Sequence, residues 1–238
     1  PIVEISTRPN NFTLDPLIEG FWNTELYFKE FADTIRKELT LKNPLGEKAL
    51  AKEGHLKQMI QGGRTLVLIH VRRGDYVTNA HASAFHGAKG TEYYSDAIQR
   101  LRDELGHLGL IDAGKIDRDK ISAQQNTPQS TTKITFILSS DDIEWVKGSI
   151  VPLLQNVPDA TYEILSDVPN IKDYEEIYLM SLCHHFIIAN SSYSWWPAWL
   201  SRTATKQGLQ KIVIGPKKWT NDPSVNTKDV LPTDWIRI

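Results

Sequence analysis

Five short apolar segments alternate with segments of helical pattern along this chain, and this alternation restricts the fold more than any other feature. The apolar segments have the length of β-strands and span residues 65–70, 134–138, 161–165, 185–189 and 211–214. Strands that alternate with helices form right-handed βαβ units around a parallel sheet. The sequence therefore predicts an α/β fold, with a Rossmann-like parallel sheet within residues 62–238.

The segments between and before the strands are predicted to be mainly helical. From the spacing of apolar residues we expect helices over residues 24–39, 46–60, 91–105, 143–154, 173–183 and 193–205. Residues 78–90 and the polar stretch 106–133 are predicted to be loops. The helical segment 1–61 is expected to pack at the edge of the sheet or to belong to a neighbouring domain.

The composition is that of an ordinary soluble globular protein, with 40% apolar and 24% charged residues. The chain has a formal net charge of -2, whereas nucleic-acid-binding proteins usually have an excess of basic residues. We therefore expect no nucleic-acid partner. No apolar run approaches the roughly 18 residues of a transmembrane helix, which predicts no membrane span in this segment. The single Cys183 cannot form an internal disulfide, and no zinc-type ligand spacing is present, so we expect no metal site.

The segment from His70 to Asp75, with the sequence His-Val-Arg-Arg-Gly-Asp, carries the strongest functional signal because it directly follows the first strand. Ligands of open α/β sheets bind beyond the carboxyl ends of the strands. Two adjacent guanidiniums, Arg72 and Arg73, match phosphate oxygens two at a time, and Asp75 can take a proton from a hydroxyl. These groups together suggest a nucleotide-sugar transferase. The alternatives are surface ion pairs for the arginines and a buried core position for His70.

Two further strand ends carry polar clusters, from Ser139 to Asp142 and from Asn190 to Ser194. The carboxyl ends of parallel strands share one edge of the sheet, so both clusters should lie near the arginines. The acids of the first cluster suit guanine N–H groups or ribose hydroxyls, and the helix start of the second suits an anion. Helix capping is the alternative role for each cluster.

Several other motifs point away from competing functions. Arg73-Gly74-Asp75 spells the adhesion tripeptide, but it adjoins a predicted buried strand, so we expect no integrin binding. The chain has no P-loop and no GxGxxG, which argues against kinases and dehydrogenases. His86, Tyr93 and Tyr94 follow the arginine motif and either line an acceptor pocket or belong to the surface.

Three motifs together resemble a known family. They are His70–Tyr76, Ser140–Lys147 and Asn190–Leu200, and the similarity extends to residues 18–22, 27–28, 216–219 and 231–236. In these segments the chain resembles the bacterial α-1,2-fucosyltransferases, glycosyltransferase family 11, over nearly its whole length. It departs from the family pattern at Pro197, where small residues are usual, and it lacks the usual N-terminal Gly-Gly-Leu-Gly-Asn-Gln motif.

The resemblance implies a GT-B-like fold and transfer of fucose, with inversion, from GDP-β-L-fucose to the 2-hydroxyl of a β-galactoside-terminated glycan. It implies that GDP-fucose is a substrate and that neither a metal nor a cofactor takes part. Arg72 and Arg73 would hold the diphosphate and stabilise the leaving GDP, and Asp75 would be the base. The other implied donor-binding residues are His70, Asp141, Asp142, Ser191, Ser192 and Ser194.

Under the same resemblance, residues 1–61 would be the remnant or edge of an N-terminal acceptor-side domain, and residues 62–238 would form the GDP-sugar-binding domain. The N-terminal domain, and with it half of the interdomain cleft, would be incomplete. Two alternatives stay open: another GDP-sugar transferase, similar to protein O-fucosyltransferases, and a donor-binding domain that transfers nothing. The expected location is the cytoplasm or the membrane periphery.

Overall fold

The computed structural model describes residues 24–111 and 133–238, and in these ranges six strands form one parallel sheet. The strands are β1 (Thr65–Val71), β2 (Ile134–Ser140), β3 (Thr161–Ile164), β4 (His185–Ile187), β5 (Val213–Gly215) and β6 (Ile236–Arg237). Their order in the sheet is β3-β2-β1-β4-β5-β6. This is the strand order of the Rossmann fold, which confirms the predicted α/β class.

The helices cover both faces of this sheet. They are α1 (Ala32–Glu38), α2 (Glu47–Gln61), α3 (Gly74–Thr78), α4 (Ala80–Phe85), α5 (Thr91–His107), α6 (Ile143–Trp145), α7 (Val151–Leu154), α8 (Asp173–Met180), α9 (Ser192–Leu200) and α10 (Thr203–Lys206). A π-helical stretch, Val146–Ile150, joins α6 to α7, and two 3₁₀ turns, Glu25–Tyr27 and Lys29–Phe31, precede α1.

Alternate residues of β1 enter two separate apolar cores. Val67 and Ile69 pack on one face with α5 and with the segment from α6 to α7. Leu66 and Leu68 pack on the other face with α2, α8 and α9. Because side chains of a strand alternate between its faces, His70 lies on the same face as α8 and α9. The whole of β1 is buried, as expected for a central strand covered by helices on both sides.

Two adjacent histidines fix β4 between its neighbours at the amino edge of the sheet. The Nδ1 atom of His184 accepts a hydrogen bond from the Leu66 N–H (3.0 Å), and Nδ1 of His185 accepts one from the Ile212 N–H (3.1 Å). These bonds tie β4 to β1 on one side and to the segment entering β5 on the other. Both histidines therefore have structural roles, far along the strand from the carboxyl edge.

Several predicted elements differ in detail from the observed ones. The single helix expected over residues 24–39 is broken into two 3₁₀ turns and α1. Part of the loop expected over residues 78–90 is helical, because the Asn79 side chain accepts hydrogen bonds from the N–H groups of His81 and Ala82 in the first turn of α4. Strand β6 was not predicted. The predictions for residues 1–23 and for most of the 106–133 loop fall outside the described residues.

Within the described ranges, no helix is both long enough and apolar enough to cross a membrane. The location of the protein in the cytoplasm or at the membrane periphery stays a prediction, as does the division into segments 1–61 and 62–238. Helix α2 packs directly on the core between the sheet and α8 through Ala49 and Leu56.

The buried His185 should make the stability of the fold depend on pH. Burial, with His184 nearby, lowers the pKa of His185 from 6.5 to about 3. The unfolded chain then binds more protons between these values, so the stabilisation is complete above pH 6.5 and is lost as the pH falls toward 3. We expect the free energy of unfolding to fall by about 1 kcal/mol for this residue between pH 7.5 and 5.5, measured by urea denaturation.

Asn is the informative replacement for His185, because its side-chain oxygen can accept the Ile212 N–H and does not titrate. His185→Asn should reduce the slope of stability against pH, whatever its effect on absolute stability. His107→Asn, at an exposed position at the end of α5, should leave the slope unchanged. An identical slope in wild type and His185→Asn would contradict the assignment.

Candidate functional site

Strands β1 and β4 are neighbours, but the chain leaves them in opposite directions across the sheet. Such a switch point opens a crevice beyond the carboxyl ends of the two strands. The His70–Asp75 and Asn190–Ser194 segments meet here, as the sequence predicted. The His70 ring lies 5.6 Å from the Tyr193 ring, and the Tyr76 hydroxyl donates to the Asn190 carbonyl (3.1 Å).

Arg72 is held between two carboxylates at the rim of this crevice. Its Nη2 atom lies 2.7 Å from Oδ1 of Asp75, and its Nη1 atom lies 3.2 Å from Oδ2 of Asp141. The guanidinium also lies over the Tyr76 ring, 5.4 Å from its centroid. A guanidinium has five N–H groups, so these contacts leave donors for a ligand while they fix its orientation.

Arg73 is held by the polar cluster that follows β2. Its backbone N–H donates to Oδ1 of Asp141 (2.8 Å), and its Nε atom lies 3.1 Å from Oδ2 of Asp142. The guanidinium stacks over the Trp145 ring at 4.3 Å. Asp142 also caps α6 by accepting from the Trp145 N–H (3.1 Å). Both acids are thus engaged with the arginine motif, and their predicted contact with a nucleoside stays a prediction.

Gly74 explains how the two loops approach so closely. A Cβ atom on Gly74 would lie 2.5 Å from Oδ2 of Asp141 and 3.1 Å from its Cγ. The first distance is shorter than a non-bonded contact allows, so any larger residue would displace the carboxylate. A side chain at position 74 would therefore move Asp141 away from its contacts with the two arginines.

The charges of the crevice do not favour an anion by themselves. Two guanidiniums, Arg72 and Arg73, face three carboxylates, Asp75, Asp141 and Asp142. These pairs are partly exposed, and exposed ion pairs contribute little stability. A dianionic phosphate group can therefore compete with the carboxylates for the arginines, and its binding would require at least Arg72 to share its contacts.

His70 supplies a neutral imidazole to the floor of the crevice. Burial, and secondarily the charge of Arg72, lowers the pKa of His70 from 6.5 to about 3. Its Nδ1 atom is buried and has no hydrogen-bond partner among the residues that the structure describes. Buried polar atoms nearly always have a partner in the protein or in water, and contact between His70 and the donor stays a prediction.

The start of α9 places its three serines in different environments. The Ser191 hydroxyl caps the helix by accepting from the Tyr193 N–H (3.3 Å). Ser194 is fully buried, and its hydroxyl donates to the Ser191 carbonyl (3.2 Å). Ser192 is exposed at the first turn, where free N–H groups and the helix dipole favour an anion. Phosphate binding by these serines stays a prediction, and Ser192 is the best placed of them.

Sequence reasoning missed Glu176, which joins the ends of β2 and β3 to helix α9. Its Oε1 atom accepts from the hydroxyls of Ser139 (3.0 Å) and Ser166 (2.5 Å), and its Oε2 atom accepts from the Tyr193 hydroxyl (2.8 Å). Glu176 lies in α8, after β3, so it approaches the same carboxyl edge as the predicted clusters. The sequence signal for Glu176 was an acid within the first turns of a helix that follows a strand. Asp173 and Glu175 share this signal, so the sequence could not distinguish Glu176 from them.

Tyr93 and Tyr94 do not line an open pocket. Their hydroxyls donate to the backbone carbonyls of Ile188 (2.6 Å) and His70 (3.2 Å), respectively. The two hydroxyls therefore hold the backbone at the carboxyl ends of β4 and β1.

Among residues 24–111 and 133–238, no group of three His, Cys, Asp or Glu side chains is arranged to hold a metal ion.

Comparison with known proteins identifies relatives whose similarity covers most of this chain. The chain matches Glycosyl transferase family 11 over residues 17–111 and 117–238. An alpha-1,2-colitosyltransferase of Escherichia coli is 31% identical over 92% of this chain and 61% of its own length. The O-antigen biosynthesis glycosyltransferase WbnK of Escherichia coli is 32% identical over 76% of this chain and 47% of its own length.

A more distant relative is the human galactoside alpha-(1,2)-fucosyltransferase 1, which is 25% identical over 79% of this chain and 44% of its own length. The matched region thus spans 44 to 61% of the length of these three relatives. No solved structure matches the chain. The family match includes every described residue and all three motifs of the crevice, so the chain belongs to glycosyltransferase family 11.

Proposed function

We propose that this chain carries the donor site of an inverting α-1,2-fucosyltransferase, which moves fucose from GDP-β-L-fucose to the 2-hydroxyl of a β-galactoside-terminated glycan. The observation that carries the proposal is that the segment bearing Arg72 and Arg73 meets the segment leading into α9 at the switch point, through the contacts of His70 and Tyr76. Relatives named for α-1,2-colitosyl and α-1,2-fucosyl transfer support the same linkage and reaction class.

In this proposal the diphosphate binds between the arginines and the α9 start. The guanidiniums of Arg72 and Arg73 neutralise the phosphate charge, and the exposed first turn of α9 near Ser192 adds N–H donors. These groups matter most when GDP leaves, because negative charge then accumulates on the phosphate oxygen. Two guanidiniums supply the charge that a divalent metal would otherwise supply, so we propose a metal-independent reaction.

The transfer step needs a base on the acceptor side. The acceptor oxygen forms a bond to the anomeric carbon of fucose, the bond from that carbon to the phosphate oxygen breaks, and its electron pair stays on GDP. The acceptor proton passes to a carboxylate, for which we propose Asp75. Asp75 lies at the exposed start of α3, 2.7 Å from Arg72, so base and phosphate-binding group are adjacent.

A second donor has specific support. The colitosyltransferase relative matches more of this chain, and with higher identity, than the human fucosyltransferase does. The GDP derivative of colitose is therefore the alternative donor. Both candidates use the same nucleotide and the same arginines, so they differ only in the contacts made by the transferred sugar.

Calorimetric titration of the chain with four nucleotide sugars tests the donor directly. We expect GDP-fucose or GDP-colitose to bind more tightly than GDP-mannose and UDP-galactose, and lactose to accept the sugar from the bound donor. Selective binding of UDP-galactose would contradict the proposal. Binding of a GDP-sugar without transfer to lactose would indicate that this chain binds the donor but does not catalyse transfer.

Removing the Arg72 guanidinium should weaken donor binding. Arg72→Ala should lower the affinity for GDP-fucose by at least about tenfold, which corresponds to about 1.4 kcal/mol, because a charge-assisted contact to phosphate is lost. Thermal unfolding should be little changed, since Arg72 is partly exposed. Arg100→Ala, which removes an exposed i,i+4 ion pair in α5, is the matched control. Equal affinity in wild type and Arg72→Ala would disprove the site.

Asp75→Asn should separate binding from transfer. The amide keeps the shape of the carboxylate but cannot take the acceptor proton, so transfer to lactose should fall by about 100-fold or more. GDP-fucose binding should be retained or become tighter, because a negative charge that competes for Arg72 is removed. Initial-rate and calorimetric measurements on the same preparation check both parts. Normal transfer by Asp75→Asn would assign the base elsewhere.

A further inference from the structure

His86 directly follows α4, beside the arginine motif, and has no role in the reaction proposed above. Its imidazole lies parallel to the Tyr76 ring, with centroids 4.4 Å apart and 5° between the planes. Phe85 packs edge-on against the imidazole at 4.7 Å. The Arg72 guanidinium contacts the same Tyr76 ring. His86 is therefore fixed against the residue that directly follows Asp75.

The backbone around His86 is held by hydrogen bonds from two distant segments. The Asn190 side chain donates to the His86 carbonyl (3.0 Å). The Phe85 carbonyl accepts from the Thr220 hydroxyl (2.5 Å) and from the Asn221 N–H (2.6 Å). Asn190 is also the residue that leads from β4 toward the α9 start. The position of His86 is thus linked to the proposed phosphate-binding groups.

Three buried polar atoms at this edge of the sheet have no hydrogen-bond partner among the described residues: Nδ1 of His70, Nδ1 of His86 and Oδ1 of Asn190. His70 and Asn190 are only 3% and 1% exposed. Such atoms nearly always have a partner in the protein or in water. All three atoms belong to segments that adjoin one another, since Tyr76 and His86 both hydrogen-bond to Asn190.

The imidazole of His86 is neutral at pH 7. Burial lowers its pKa from 6.5, the nearby Asp75 carboxylate raises it, and Arg72 lowers it. A neutral imidazole has one N–H donor and one acceptor nitrogen. A sugar hydroxyl likewise donates one hydrogen bond and accepts others, so the two groups are complementary.

We propose that His86 is an acceptor-binding residue: its imidazole, held on the Tyr76 ring beside Asp75, hydrogen-bonds one hydroxyl of the acceptor galactoside and directs the neighbouring hydroxyl to Asp75. This inference rests on the proposed function. It divides the crevice into a donor side, at Arg73 and the α9 start, and an acceptor side, at Tyr76 and His86. The reacting proton passes to Asp75, and His86 neither gains nor loses a proton.

The test compares His86→Ala with wild type in transfer from GDP-fucose to lactose. We expect the KM for lactose to rise about tenfold or more, while the Kd for GDP-fucose changes by less than about twofold. His86→Gln should recover part of the loss, because its amide also donates and accepts. His81→Ala, at an exposed histidine of the neighbouring helix α4, is the control and should change neither constant.

The dependence on pH gives a second readout that a structural role would not produce. At acidic pH, below the ordinary histidine pKa of 6.5, the wild-type KM for lactose should rise, because a protonated imidazole loses its acceptor. This rise should be absent in His86→Ala. An unchanged lactose KM in His86→Ala overturns the inference. A parallel loss of GDP-fucose affinity also overturns it, because that would show a structural role for the Tyr76–His86 stack.

Binding can be followed without turnover. The imidazole nitrogen signals of His86 in ¹⁵N NMR spectra should shift when lactose is added to the GDP-bound chain, while those of His81 should not. If GDP-fucose binds and lactose shifts no His86 signal, this inference alone is overturned. If the wild-type chain binds no GDP-fucose, the proposed function is overturned, and this inference with it.

Discussion

The arrangement of the crevice depends on the contacts that the Asp141 carboxylate makes with Arg72 and Arg73. One of its oxygens accepts the Arg73 N–H and the other contacts the Arg72 guanidinium, so a side chain after β2 orients two consecutive residues after β1. Gly74 leaves room for this arrangement, because a side chain there would occupy the space of the carboxylate. The spacing of the arginine motif is therefore set by a partner outside the motif.

The same arginines also serve as partners of the carboxylates at the site. Asp75, Asp141 and Asp142 form ion pairs with Arg72 and Arg73. A bound diphosphate would take over part of this role and leave the Asp75 carboxylate less tightly paired. In the proposed function, donor binding would thus prepare the base as well as hold the leaving group, because one guanidinium serves both.

Strands and helices were predictable where local apolar spacing is strong. Strands β1 and β2 lie close to their predicted bounds, and α2 and α5 differ by a few residues at their ends. The failures have identifiable causes. Helix α4 depends on a cap by the Asn79 side chain, and β6 is a two-residue strand whose pairing with β5 comes entirely from tertiary contact.

The sequence by itself determined which chemical groups stand at the ends of the strands: two guanidiniums, carboxylates and a helix start rich in hydroxyls. That much follows from local pattern, because apolar periodicity marks each strand and so marks the residues beyond it. Only the tertiary structure decided the partners, among them Asp141 with both arginines, Glu176 with Tyr193, and His86 on Tyr76. The physical reason is that these contacts are short-range, and strand order and register bring together residues that are distant in the chain.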